Sequence, residues 1–168
     1  MRAGCWALVL LLLAPGAAPA GASRTRVTLT EGATGRTIAT RALGEGEEMV
    51  LTWTNSLFRL RVTEVFIARG GELVLTRVTF ADPAGSEPPR VRPEDVDDLY
   101  HTGGPFRAEG LSRPVRRVVF RVGDIDNPVI RLGDRRIHLA REAGFGGAVR
   151  LEAGPASGGG AAAEPFGR

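Results

Sequence analysis

Arg59-Leu-Arg-Val-Thr-Glu-Val-Phe-Ile67 leads through Gly70-Gly71 into Glu72-Leu-Val-Leu-Thr-Arg-Val-Thr-Phe80. Side chains of a strand point alternately to two faces. Leu60, Val62, Glu64 and Phe66 therefore share one stripe, and Arg59, Arg61, Thr63, Val65 and Ile67 share the other. Paired glycines accept the backbone of a tight turn, so the two runs predict an antiparallel hairpin.

The same alternation extends outward. Arg26–Thr30, Arg36–Leu43 and Met49–Thr54 read as strands before the hairpin, with Met49, Leu51 and Trp53 on one face. After it come Val115–Val122, Pro128–Leu132, Arg135–Leu139 and Ala148–Glu152. Gly133-Asp134 suits a two-residue turn between the second and third of these. Between Ala81 and Pro105, four prolines (Pro83, Pro88, Pro89, Pro93) break the pattern, and a long loop is expected there. One helical turn is expected at Pro93–Tyr100, where Pro and acids suit a first turn. The expected fold is all-β: a single antiparallel β-sandwich or partly open barrel, with an N-terminal signal helix and at most one short helix in the central loop.

The N-terminus carries a different signal. Arg2 precedes an apolar run from Cys5 to Ala14, and Ala18-Pro19-Ala20 follows as a small-residue exit. This is the pattern of a secretory signal peptide. Pro15 and Gly16 end the run far short of the roughly 20 apolar residues that span a bilayer. The expected organisation is a signal peptide at 1–22, an all-β domain at 24–153 and a disordered Gly/Ala/Pro-rich tail at 154–168. Export to the periplasm, envelope or exterior follows, with an uncleaved segment as the one route to membrane anchoring. Cys5, the only cysteine, lies in the signal, so the exported domain holds no disulfide.

All 22 basic residues are Arg, set against 19 carboxylates, for a net charge of +3. They are spread along the chain, not clustered with aromatics, which argues against a nucleic-acid partner. Two histidines, His101 and His138, lack metal-ligand spacing. The run Glu94-Asp-Val-Asp-Asp98 lacks the alternation and glycine of a calcium loop. Asp124, Asp126 and Asn127 suit a turn before Pro128 and need no metal. No metal and no cofactor is expected. Ser56, His101 and Asp98 could be drawn as a triad, but no nucleophile elbow surrounds Ser56. Glu64 stands out, because it shares a stripe with Leu60, Val62 and Phe66. If that stripe is buried, its carboxyl needs a partner; if the other is, Glu64 is solvated.

Asn55-Ser-Leu-Phe-Arg-Leu-Arg-Val-Thr-Glu-Val-Phe66 resembles the signature of a small uncharacterised bacterial domain family. Its members are exported or membrane-anchored and often encoded beside TAXI-type TRAP transporters. Ser56, Arg59, Val62, Glu64 and Phe66 match the family pattern. Asn55, Phe58 and Arg61 replace its His, Glu and Pro. Later blocks, Leu73–Phe80, Ala84-Gly85, Arg121-Val-Gly123, Leu132-Gly-Asp134, Ile137-His-Leu139 and Val149-Arg-Leu151, follow the family order. The resemblance implies an exported, non-enzymatic accessory or binding protein whose partner is a TRAP-type permease or its solute receptor. Asn55, Ser56, Arg59, Arg61 and Glu64 are then the candidate binding residues, with the arginines able to meet a carboxylate. An envelope structural or adhesion module binding through sheet edges is the alternative. A hydrolase using Ser56 and His101 is the third reading.

Overall fold

The computed structural model describes residues 23–156 except 124, 126 and 127. The expected signal peptide, the tail from 157 and the Asp124, Asp126, Asn127 cluster lie outside the described residues. The elements run β1 Thr25–Glu31, β2 Thr37–Leu43, β3 Glu48–Thr54, β4 Arg61–Arg69 and β5 Glu72–Ala81. A 3-10 turn at Pro93–Asp95 leads into α1 Val96–Thr102. Then follow β6 Phe106–Val115, β7 Arg117–Arg121, β8 Val129–Leu132, β9 Arg135–His138, α2 Leu139–Ala143 and β10 Ala148–Pro155.

The strands form two antiparallel sheets that do not close into a barrel. One has four strands in the order β2-β1-β10-β7, the other six in the order β6-β5-β4-β3-β8-β9. At the centre of the larger sheet is the expected hairpin. Arg69 pairs with Glu72 across Gly70 and Gly71, whose φ values of +57° and +84° only glycine adopts freely.

A single core joins the two sheets. Val27 and Leu29 of β1 and Val149 and Leu151 of β10 belong to the same buried cluster as Met49, Leu51, Val62 and Leu73. Toward its β5–β6 edge the larger sheet packs on α1 instead. Phe80 and Phe106 stack with centroids 4.7 Å apart, and Tyr100 of α1 meets Phe80 edge-on at 5.0 Å. Val96 of α1 is fully buried. These aromatic contacts hold the helix on the sheet through both buried area and ring geometry.

Four local features depart from the expected pattern. β6 was not foreseen, because Gly110 (φ +77°) and Pro114 interrupt its alternation. As the edge strand of its sheet it tolerates a proline that a central strand would not. A second short helix, α2, exceeds the one helix expected; its five residues are too few for a helical period to register. Strand β10 runs two residues past the expected boundary at 153, since Gly154 and Pro155 pair with Arg26 and Thr25. The strand expected from Arg59 begins at Arg61, because Arg59 has φ +55° and turns the chain.

Candidate functional site

Glu64 points from β4 into the space between the sheets. Its neighbours on the same stripe, Val62 and Phe66, belong to the common core cluster, whereas Val65 on the other stripe is buried outside it, which settles the orientation that alternation alone left open. Across the ladder it faces Leu51 of β3. A carboxyl in such surroundings needs a hydrogen-bond partner, and helix α1 supplies one. The Tyr100 hydroxyl donates to Glu64 Oε1 at 2.8 Å, and the Trp53 side chain, whose indole N–H is a donor only, lines the same cleft and favours the charged carboxyl. Burial outweighs both influences and pushes the Glu64 carboxyl above its ordinary range. Burial, reinforced by the adjacent carboxylate, also raises the Tyr100 phenol far above its ordinary value, so its hydroxyl stays a donor.

Glu64 is not sealed in. It lines an open cleft of about 330 Å³ together with Leu51, Trp53, Pro128 and the β7 residues Val118 to Arg121. Four elements place these groups. β3 and β4 form the floor, β7 forms one wall, and α1 reaches Glu64 through Tyr100. The walls are mainly apolar, with Glu64 as the carboxyl in the floor and the exposed Arg121 also in the lining. Such a combination, apolar walls and a few placed polar groups, is the ordinary make-up of a small binding site.

The wall formed by β7 has a specific geometry. β7 ends the smaller sheet, and among the described residues no strand pairs with its other edge. The Val122 N–H donates to Gly147 O at 2.9 Å and the Ala153 N–H to Arg116 O at 2.8 Å. In an antiparallel ladder the bonding direction alternates. Residues 118 and 120 therefore turn their backbone groups to β10, while 117, 119 and 121 turn theirs to the open edge.

The five residues singled out from sequence do not converge. Asn55, Ser56 and Arg59 lie in the turn before β4. There the Asn55 N–H donates to Leu60 O at 2.9 Å, and Asn55 Oδ1 accepts from the N–H groups of Leu57 and Phe58, both at 3.0 Å. Ser56 and Arg59 are exposed, and Arg61 is exposed on the stripe opposite Glu64. Glu64 alone reaches the cleft. His101 Nδ1 lies 2.8 Å from the Asp97 carbonyl oxygen, and no hydrogen bond joins it to Ser56 among the described residues. Among the same residues no group of three or more His, Cys, Asp or Glu is placed to hold a metal ion. No helix among them is long and apolar enough to cross a membrane.

Trp53, Tyr100 and the β7 wall were missed as site residues. Trp53 was visible on the stripe of Met49 and Leu51, but that stripe reads equally as core. Tyr100 lies 36 positions from Glu64, and nothing local links the two. No protein-family model, curated protein or solved structure matches the chain.

Proposed function

We propose that this chain is an exported, non-enzymatic binding module that takes its ligand in the cleft beside β7, with Glu64 as the polar anchor. The observation that carries this reading is a carboxyl held by Tyr100 beside Trp53 in a mainly apolar cleft that remains open. The matching ligand offers apolar surface to Leu51, Val118 and Phe120. It brings a hydrogen-bond donor, best a cationic nitrogen, to Glu64, because a donor or cation relieves the cost of the buried carboxyl. The resemblance across Asn55–Phe66 supports an accessory role at a TAXI-type TRAP transporter, and a ligand-binding module fits that role.

Trp53 is the only tryptophan besides Trp6. In a full chain carrying Trp6→Phe its fluorescence reports on the cleft directly. Titration with butylamine, butanol and butyrate should shift Trp53 emission most strongly with the amine, and Glu64→Gln should remove that preference. No response to any of the three, or a preference for butyrate that survives Glu64→Gln, would count against the site.

A further inference from the structure

We propose that the open edge of β7 pairs with an extended, acidic segment of a partner protein, whose inward side chains enter the cleft over Trp53 and Glu64. Such a segment is the occupant of the cleft proposed above, so its binding rests on that role.

Among the described residues the smaller sheet stops at β7 while the larger one carries six strands. The cleft lies beside that unfinished edge, with β3 and β4 as its floor. The backbone groups of Arg117, Val119 and Arg121 face the edge, and an unpaired row of N–H and C=O groups is a template for another strand. Val118 and Phe120 face inward, paired with the buried Leu151 and Val149. A strand added here follows the same alternation, with one set of side chains entering the cleft and the other lying outside.

The outside set sits in a basic field. Arg117, Val119 and Arg121 share the outer face with Glu152, Arg150 and Ala148 opposite them in register. Arg117 is paired with Glu152 at 3.2 Å. Arg121 and Arg150 make no ion pair among the described residues. Val119, between Arg117 and Arg121 on β7 and opposite Arg150, is 55% exposed. Acidic side chains at the outer positions of the added strand meet these arginines. A second copy fits poorly, because antiparallel pairing of two β7 edges about Val119 sets Arg117 against the other copy's Arg121, and facing like charges destabilise a sheet.

The test uses the full chain with Trp6→Phe and two acetylated, amidated heptapeptides. One is Glu-Val-Glu-Lys-Glu-Val-Glu; the other replaces each Glu with Lys and keeps the inward positions. Trp53 emission and the Val119 amide resonance are followed at low and high salt. The acidic peptide should bind at least roughly tenfold more tightly than the basic one and lose that advantage in salt. Val119→Pro removes an N–H aimed at the open edge and none used by β10, so it should abolish binding while the thermal transition stays near wild type. If Val119→Pro unfolds the domain, Arg121→Glu takes its place and should narrow or invert the preference. Equal affinity for both peptides, or binding indifferent to both substitutions, overturns strand addition. Butylamine binding without peptide binding overturns strand addition and leaves the cleft as a small-molecule site. Failure of both ligands overturns the cleft as well. A concentration-dependent dimer dissolved by Val119→Pro overturns the acidic partner in favour of a second copy.

Discussion

The Tyr100 hydroxyl donates to Glu64 Oε1 across 2.8 Å, tying helix α1 to the middle of β4. It is a single bond between a loop-borne helix and the centre of a sheet, and it decides how a carboxyl survives between two apolar layers. Removing the donor with Tyr100→Phe leaves that carboxyl short of a partner. The expected cost is about 1–3 kcal/mol, read from urea unfolding at neutral pH. The loss should shrink in acid, where a protonated Glu64 tolerates burial. A cost that does not change with pH would mean that Tyr100 acts through packing on Phe80 and Phe106 alone.

Glu64 also sets a pH dependence. Its folded-state carboxyl is raised above the ordinary 4.5, chiefly by burial. The folded state therefore holds the proton more tightly than the unfolded state, and this group's stabilising contribution is complete below the unfolded value. That contribution is lost as pH rises from the unfolded to the folded value. Glu64→Gln keeps an acceptor for Tyr100 and carries no charge. Its stability should match wild type in acid and exceed it at neutral pH, as measured by denaturant midpoints across the range. Wild type remaining the more stable protein at neutral pH would contradict the sign.

The turn at Asn55 supports the fold independently of any ligand. Asn55→Ala removes an acceptor used by two backbone N–H groups and should cost about 1 kcal/mol. Arg59→Gly relieves the left-handed backbone at φ +55°, at the expense of a more flexible unfolded chain. It should fall between neutral and about 1 kcal/mol stabilising. Both are read as thermal midpoints. If Arg59→Gly, folded at least as stably as wild type, also weakens capture of a TRAP-type permease, Arg59 belongs to a binding surface, as the resemblance implies.

Gly103 ends α1 against the same turn. A Cβ there would sit 2.5 Å from ring atoms of Phe58, at a backbone φ of +79°. Gly103→Ala should cost about 2–4 kcal/mol, combining left-handed strain with the clash. Gly104→Ala has a similar positive φ but open space around it, so it should cost only about 1–2 kcal/mol. Equal melting temperatures for the two variants would mean that Phe58 swings away freely, as its 38% exposure would permit.

Much of the fold is legible in the chain because strand alternation and turn chemistry are local. Val62, Phe66, Val78 and Phe80 mark buried stripes, and Gly70-Gly71 announces the turn between them. Strand β6 was illegible because Gly110 and Pro114 spoil its alternation. It exists because β5 offers it an edge to pair with, across an irregularity between Leu75 and Arg77. Helix α2 is too short for its period to show, and it is anchored by the fully buried Leu139.

The site divides along the same line. Residue order alone placed Glu64 on a stripe with Val62 and Phe66 and marked it as the one carboxylate needing explanation. Tertiary structure alone decided which stripe is covered, that Tyr100 arrives from α1, and that β7 ends its sheet beside an open cleft. Alternation depends on the geometry of neighbouring peptide units, so it is written locally. Burial and edge exposure depend on which distant strand lies alongside, and that is settled only when both sheets pack on the common core.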